Sequence, residues 1–345
     1  MKFSRNTSPS VVGLIEAGEI SHTHAEAWMQ LGVELLVHSP DGRGKLADLH
    51  DLEAVSSLDE MLERAEIVDL AASTRAHEPI VLAAIEAGRD IICQTSSMPS
   101  GHVFRQLQTA AAAASVQIYP AYPTRYLAPY VEAKAAVDAG CIGAVAVSRY
   151  FRETESPAEG TFSTEAQRIG VIRDLLLHDL DQARWMCGEV ETVYAVQNPP
   201  SIDGLSPAFV SAHVSLTHAG GAITHIHATW GARGSAFKAG FAIAGSRGIL
   251  EHSSTLNTGL TMEVPHQGST ELRVPELTRN ANAHLTQLRD FANASRDGRP
   301  AQVDAEDGVM TAYLAEAAEE AVRTGRVVLM SEFIAGAGVA KKEIL

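Results

Sequence analysis

Short apolar runs alternate with amphipathic helical stretches over residues 11–120, and this alternation restricts the fold more than any other feature of the chain. The apolar runs have the length and composition of buried strands and lie at 10–15, 33–37, 67–72, 90–94 and 116–119. Helices are predicted between these strands. The first ends at residue 30, the second covers 45–53, the third begins at 57, and the last two cover 78–87 and 101–114. Continuous apolar strands separated by helices indicate a parallel sheet covered on both faces. We therefore predict an α/β fold with a doubly wound parallel sheet.

The pattern changes after Pro120, Pro123 and Pro129. A helix is predicted at 127–139, a strand at 144–152, a polar loop at 153–167 and a helix from 173 onwards. Strand-like runs then follow one another at 190–197, 209–217, 222–230, 240–244 and 248–252, before helices at 283–296 and 305–324. Consecutive strands indicate an open, mainly antiparallel sheet. The predicted domains are a Rossmann dinucleotide-binding domain over 1–123 and an α+β substrate-binding and oligomerisation domain over 124–345.

Charge and composition exclude several kinds of partner. The formal net charge of −15 disfavours nucleic acid and anionic membrane surfaces. The cysteines, Cys93, Cys141 and Cys187, are too widely spaced for a zinc ribbon or a disulfide scaffold. No apolar run has the length of a signal peptide or a membrane span. We therefore expect a soluble, cytoplasmic protein.

The turn after the first strand has the position of a dinucleotide-binding turn, whose pattern is G-x-G-x-x-G/A. Gly18 matches the middle glycine and Ser21 the small last residue, whereas Glu16 replaces the first glycine. The amides of the helix N-terminus suit an anion, but a carboxylate at Glu16 can repel a pyrophosphate. The alternative is a strand–helix turn without a ligand. The cofactor-binding residues predicted here are Glu16, Ala17, Gly18, Glu19 and Ile20.

The end of the second strand bears on the choice of nucleotide. An acidic residue usually accepts hydrogen bonds there from the adenosine ribose of NAD. Ser39 occupies this position and Arg43 follows it. The missing acid and the nearby arginine favour NADP over NAD, so Ser39 and Arg43 are also predicted to contact the cofactor. The alternative is that Arg43 and Lys45 are ordinary solvated loop charges.

Residues 173–181 carry a candidate catalytic pair. In a helix, Asp174 and His178 are four residues apart and lie on one side, with Asp181 three residues further on. A carboxylate beside an imidazole can orient the ring and raise its pKa, which suits a general acid or base. The alternative is an exposed pair that stabilises the helix slightly.

These features, in order, resemble the glucose–fructose oxidoreductase, inositol dehydrogenase and rhizopine catabolism (Gfo/Idh/MocA) family over nearly the whole chain. Residues 72–77 resemble its A-T-P-x-x-x-H, residues 86–93 its E-A-G-K-H-V-L-C, and residues 139–143 its S-G-x-I-G. Residues 174–181 resemble its D-x-G-x-H-x-x-D, and residues 245–250 its G-T-K-G-T-L. Arg125 matches an arginine that opens the interdomain helix. The collinear order of these matches carries the resemblance.

The resemblance implies NAD(P) on the first sheet and a sugar, cyclitol or related polyol between the nicotinamide and the second sheet. His178 would be the catalytic acid/base, Asp174 its orienter and a substrate ligand, and Asp181 structural. The further residues implied to bind cofactor are Ala72, Ser73, Thr74, His77, Gln94 and Thr95. The residues implied to bind substrate are Thr95, Tyr122, Arg125, Asp174 and His178.

The main departure from the family lies after Cys93, where Gln94-Thr95-Ser96 stands in place of E-K-P. Thr95 replaces a lysine that handles a proton, and a threonine cannot act as a cationic acid. Two accounts remain open. In the first, the protein is an NAD(P)-dependent dehydrogenase or reductase acting on CH–OH groups, with His178 alone transferring the proton. In the second, it is a cofactor-independent carbohydrate-site protein, either an isomerase or lyase or a non-catalytic binder.

Three histidines mark the second predicted sheet. His225 and His227 share one face of a strand and His213 lies on the preceding strand. A zinc site is one interpretation, but no Asp, Glu or Cys accompanies them at ligand spacing, so we predict no metal. The resemblance implies that this sheet face forms a homodimer or homotetramer. Lys238 is a further candidate cation near the substrate.

Overall fold

The computed structural model describes residues 11–17, 20–40, 42, 44–72, 77–94, 99–156, 169–202, 204–255, 258–263, 272–273 and 282–337. The chain divides into two compact units. The first comprises 1–127 and 280–312, and the second comprises 128–279 and 313–345. No helix in the described ranges is long and apolar enough to cross a membrane.

The first unit alternates strands and helices as predicted. Its elements are β1 (Val11–Ala17), α1 (Ile20–Leu31), β2 (Glu34–His38), α2 (Leu46–His50), β3 (Glu53–Ala54), α3 (Leu58–Arg64), β4 (Ile67–Ala72), α4 (His77–Glu86), β5 (Asp90–Gln94), α5 (Gly101–Ala113) and β6 (Ile118–Ala121). A 3₁₀ turn, Pro123–Tyr126, follows. All recorded strand pairs are parallel, in the order β3-β2-β1-β4-β5-β6. The prediction of a doubly wound parallel sheet is confirmed.

The second unit is built on a larger sheet. Its elements begin with α6 (Ala128–Asp138), β7 (Val145–Glu155), a π-helical turn (Ile172–Leu176), α7 (Leu177–Cys187), β8 (Val190–Asn198), β9 (Val210–His218), β10 (Ile223–Gly231), β11 (Lys238–Gly245), β12 (Ile249–Ser253), β13 (Thr258–Glu263) and β14 (Leu272–Arg273). Of the last elements, α8 (Ala283–Asp297) and the start of α9 (Ala305–Thr324) belong to the first unit, whereas β15 (Val328–Leu329) and α10 (Met330–Ala337) belong to the second.

The strand order of the second sheet, among the described residues, is β14-β13-β12-β11-β7-β10-β9-β8-β15. Only the pair β7–β10 is parallel, and the other recorded pairs are antiparallel. The mainly antiparallel sheet of the prediction is therefore confirmed. A hairpin turn at 218–221 joins β9 to β10, and the amide of His218 donates to the carbonyl of Ala222 across it at 2.9 Å. Strands β3, β13, β14 and β15 and helix α10 were not predicted from the sequence.

Asp69 interrupts the apolar strand β4, and its side chain is fully buried. His24 Nδ1 donates to its two oxygens at 2.9 and 3.1 Å, and Trp28 Nε1 donates to Oδ2 at 2.8 Å. A buried carboxylate without donors is strongly destabilising. These bonds offset that cost and hold α1 against β4, because both donors lie on α1.

Helix α8 packs with the first unit, although it follows the second sheet in the chain. The ring of His284 lies 5.4 Å from that of His24, and Phe291 stacks on Tyr119 of β6 at 4.9 Å. Tyr126 donates to Asp290 at 2.9 Å. The predicted division at residue 123 had placed this helix in the second domain. Sequence order could not indicate its contacts, which depend on where the chain returns.

We predict that His284 lowers the stability of the protein in acid. Burial, and then the imidazole of His24, lowers the pKa of His284 from 6.5 to about 4. Above pH 6.5 the imidazole is neutral in both the folded and the unfolded chain, so it has no effect. As the pH falls from 6.5 to 4, the imidazole of His284 is protonated in the unfolded chain but stays largely neutral in the folded chain. The free energy of unfolding therefore falls by about 2 kcal/mol.

Urea unfolding of the wild type and of His284→Gln at pH 7 and pH 4.5 measures this effect. Between pH 7 and pH 4.5, the free energy of unfolding of the wild type should fall by about 1–2 kcal/mol more than that of His284→Gln. The same difference at both pH values would contradict the prediction.

Candidate active site

Several predicted cofactor residues lie outside the described residues, namely Gly18, Glu19, Arg43, Ser73, Thr74 and Thr95. For Ala17, Ala72 and His77 the backbone is described as part of β1, β4 and α4, but the side chains are not. Ile20 is the first residue of α1. The carboxyl ends of β1 and β4 are in register, with Ala17 opposite Ala72. The described residues on either side of the predicted turn, Ala17 and Ile20, therefore lie at the edge of the sheet where doubly wound proteins bind ligands.

The carboxylate of Glu16 is held at the start of α2. Its Oε1 accepts hydrogen bonds from the amides of Lys45 at 3.0 Å and Leu46 at 3.1 Å. These amides begin a short helix and have no partner inside it. The negative charge of Glu16, at the start of the predicted dinucleotide turn, is thus stabilised by the amides that begin α2.

Ser39 and Gly44 complete this arrangement. The hydroxyl of Ser39 accepts a hydrogen bond from the amide of Gly44 at 2.9 Å. A Cβ at Gly44 would lie 2.0 Å from Glu16 Oε2 and 2.7 Å from the Cβ of Ser39. Only glycine allows this close approach. The three residues therefore form a compact group after β2, which we call the Glu16–Ser39–Gly44 group.

Gln94 ends β5 at the same edge of the sheet, opposite Ala121 of β6. Its Oε1 is buried and has no hydrogen-bond partner among the described residues. A buried polar atom without a partner needs a ligand or water to satisfy it. With Ile20 at the N-terminus of α1, this unsatisfied amide fits the predicted nucleotide site.

Asp174 lies in the π-helical turn that precedes α7. Such turns occur frequently at functional sites. Its Oδ2 accepts a hydrogen bond from Trp230 Nε1 of β10 at 3.0 Å. Burial raises the pKa of Asp174, while the bond from Trp230 and the charge of Arg152 lower it. The carboxylate is thus poorly solvated and held by a rigid strand.

His178 lies on α7, one turn after Asp174, and is half-buried. Within the described residues, the hydrogen bond recorded for Asp174 goes to Trp230 and not to His178. The role of Asp174 as orienter of His178 therefore stays a prediction. Asp181 is buried, with 1% of the residue exposed, and its structural role stays a prediction.

Asp179 and Arg152 form a buried ion pair that the sequence analysis missed. Arg152 Nη2 and Nε donate to the two oxygens of Asp179 at 2.9 and 3.2 Å. Arg152 is an inward residue of β7, and β7 pairs in parallel with β10, placing Thr154 opposite Trp230. The neighbouring strands β10 and β7 therefore hold the segment around His178 at two points. Trp230 of β10 binds Asp174 before it, and Arg152 of β7 binds Asp179 after it. The one available signal was a charged residue at an inward position of the alternating pattern of β7.

Tyr122 and Arg125, predicted to bind substrate, are both buried in the first unit. The guanidinium of Arg125 pairs with the carboxylate of Asp307 at 3.0 Å and donates to the carbonyl of Gln302 at 3.3 Å. These contacts tie the 3₁₀ turn to the start of α9. Their role towards a substrate stays a prediction.

The histidines of the second sheet lie on neighbouring strands, with His213 opposite His227. Their rings stack at 5.4 Å, and Phe151 stacks on His227 at 6.2 Å. His225 bonds to the hydroxyl of Ser215 at 3.1 Å. In the described part of the chain no three His, Cys, Asp or Glu residues are grouped to hold a metal ion. Lys238 pairs with Glu153 at 3.3 Å.

We predict that Trp230→Phe raises the pKa of Asp174 further, because the charged carboxylate loses a hydrogen bond while its burial remains. Carbon-13 NMR titration of the aspartate carboxyls, with the Asp174 signal assigned by its loss in Asp174→Asn, measures this change. Trp28→Phe is the matched control, since it removes an indole donor from Asp69 in the first unit. An unchanged Asp174 titration in Trp230→Phe would refute the prediction.

Comparison with protein families finds the GFO/IDH/MocA C-terminal domain at residues 130–251. This region contains the π-helical turn, α7 and the strands from β7 to β11. The chain is 26% identical over 341 residues to a myo-inositol 2-dehydrogenase of Thermotoga maritima, covering 94% of this chain and 99% of the relative. It is also 26% identical over 290 residues to an inositol 2-dehydrogenase of Streptomyces avermitilis, covering 79% and 81% of the two chains.

Solved structures of the same fold include GenD2 from gentamicin A biosynthesis in complex with NAD, at 25% identity and a TM-score of 0.79. That likeness covers 95% of this chain and 98% of GenD2. Levoglucosan dehydrogenase in complex with NADH and levoglucosan shares the fold at 20% identity and a TM-score of 0.80, covering 93% and 99% of the two chains. The matched model shows that residues 130–251 form a domain of the GFO/IDH/MocA C-terminal type, and these relatives support membership of the chain in that family.

Proposed function

We propose that the protein is an NAD(P)-dependent oxidoreductase that acts on a CH–OH group of a sugar, cyclitol or related polyol. The observation that carries this proposal is the partly buried Asp174 carboxylate, held by Trp230 one turn before His178 in the matched C-terminal domain. A poorly solvated carboxylate next to an imidazole suits the recognition of a hydroxyl group and the transfer of its proton.

The first unit would hold the nucleotide at the carboxyl edge of its sheet. The amides at the start of α1 would bind the pyrophosphate, and the unsatisfied amide of Gln94 would face the ligand. A bound nicotinamide supplies the hydride acceptor or donor. The protein's part is to bind and orient the reactants.

His178 would take the proton of the substrate hydroxyl during oxidation and return it during reduction. Asp174 Oδ2 is engaged by Trp230, so its second oxygen would accept a hydrogen bond from the substrate. Thr95, in place of the family's lysine, supplies no positive charge to the reaction, which leaves proton transfer to His178.

The relatives support this substrate class. Inositol 2-dehydrogenases and a levoglucosan dehydrogenase of Pseudarthrobacter phenanthrenivorans recur among them, the latter at 27% identity over 136 residues. The cofactor-independent carbohydrate protein weighed from the sequence is less favoured, because the edge of the first sheet keeps an arrangement that fits a nucleotide.

A thermal-shift panel of NAD, NADH, NADP and NADPH, followed by spectrophotometric assays with myo-inositol and levoglucosan, tests the proposal. We expect at least one nucleotide to raise the melting temperature. In the spectrophotometric assay, we expect oxidation of at least one polyol to convert NAD to NADH or NADP to NADPH. No stabilisation by any of the four nucleotides at millimolar concentration would refute the proposal. Stabilisation by a polyol alone would instead support the cofactor-independent alternative.

We predict that His178→Ala lowers kcat by about a hundred-fold or more, as expected for loss of a general acid/base. Nucleotide binding should stay unchanged, because the first unit lacks this residue. Parallel measurements of kcat and of the nucleotide Kd separate these effects. Full turnover in His178→Ala would rule out the assigned role.

We further propose that the protein is a homodimer or homotetramer joined through the open face of the second sheet. Tyr194 and Val196 of β8 and Ile223 of β10 are 39%, 45% and 41% exposed and alternate with buried residues. Burying such side chains between two copies would stabilise the assembly. Sedimentation velocity should show an oligomer for the wild type and its dissociation in Val196→Glu. A monomeric wild type would refute this proposal.

A further inference from the structure

The ends of β1 and β2 place Glu16 and Ser39 side by side. Ile15 lies opposite His38 in the parallel register, and Glu16 and Ser39 are the next residues of the two chains. In doubly wound nucleotide-binding sheets, an acidic residue at the end of β2 accepts hydrogen bonds from the adenosine ribose of NAD. The sequence lacks that acid, since Ser39 occupies its position.

The structure brings a carboxylate to this place from the neighbouring strand. Glu16 Oε1 is engaged by the amides of Lys45 and Leu46, which fixes the orientation of the group. Oε2 lies against Gly44, whose amide donates to Ser39. No hydrogen bond to Oε2 is recorded in the described parts of the chain, so it keeps its capacity as an acceptor.

We infer that Glu16 replaces the missing acid at the end of β2 and makes the protein selective for NAD over NADP. This inference rests on the proposed nicotinamide cofactor. The free oxygen of Glu16 would accept hydrogen bonds from the ribose hydroxyls of NAD. A 2′-phosphate carries nearly two negative charges at neutral pH and would be repelled by the same carboxylate.

The inference reverses the preference indicated by the sequence alone. Ser39 with Arg43 favoured NADP, because the acid expected at the end of β2 was absent. In the folded chain the acid is present but comes from a residue 23 positions earlier in the sequence, 16 instead of 39. Glu16 also does not need its charge to hold α2, since a neutral amide oxygen accepts the same two N–H groups.

Glu16→Gln separates these two roles. Glutamine keeps an acceptor for the amides of Lys45 and Leu46 but removes the negative charge. Isothermal titration with NADH and NADPH should show the wild type binding NADH at least about ten-fold more tightly, and the variant losing most of this ratio through tighter NADPH binding. Thermal melting checks that the variant is folded.

Glu60→Gln is the matched control. Glu60 also accepts a hydrogen bond from a backbone amide in the first unit, that of Ser56 at 3.0 Å, but at the start of α3. It should leave the ratio of the two affinities unchanged. A wild type that binds NADPH as tightly as NADH, or a ratio unchanged in Glu16→Gln, would overturn the inference and leave the proposed function standing. A wild type that binds neither nucleotide would overturn both.

Discussion

Among the described residues, the buried Asp69 and Asp179 and the partly buried Asp174 each receive N–H donors from another element of the fold. Asp69 of β4 is bound by His24 and Trp28 of α1, and Asp179 of α7 by Arg152 of β7. Asp174, in the turn before α7, is bound by Trp230 of β10. A buried carboxylate with no donor would cost several kcal/mol, so these bonds decide which surfaces of helix and sheet meet.

The same requirement shapes the candidate active site. Asp174 and Asp179 bracket His178 in the chain, and their donors come from adjacent parallel strands. The segment that carries His178 is therefore attached to the sheet at two points. Groups carried on strands are positioned more precisely than groups on loops, so the hydrogen bond from Trp230 gives the carboxylate of Asp174 a defined orientation.

The nucleotide side shows how a departure from a motif can be compensated in space. Glu16 in place of a glycine and Ser39 in place of an acid look like two separate losses in the sequence. In the fold they lie beside Gly44, where a single carboxylate is stabilised by backbone amides. In the proposed nucleotide site, the two departures act as one exchange between neighbouring strands. A ribose or a phosphate interacts with a charge near it, whichever position in the sequence supplies that charge.

The sequence by itself determined the architecture. Alternating strands and helices over 11–120 and the consecutive strands from 190 onwards are local periodic patterns, and burial of apolar faces makes such patterns predictive. The Asp174 and His178 pair was also visible, because its spacing is local. Tertiary structure alone decided the partners: Trp230 for Asp174, Arg152 for Asp179, Asp307 for Arg125, and the packing of α8 on the first unit. These contacts join residues far apart in the chain, and a buried charge accepts whichever donor the folded chain brings within about 3 Å.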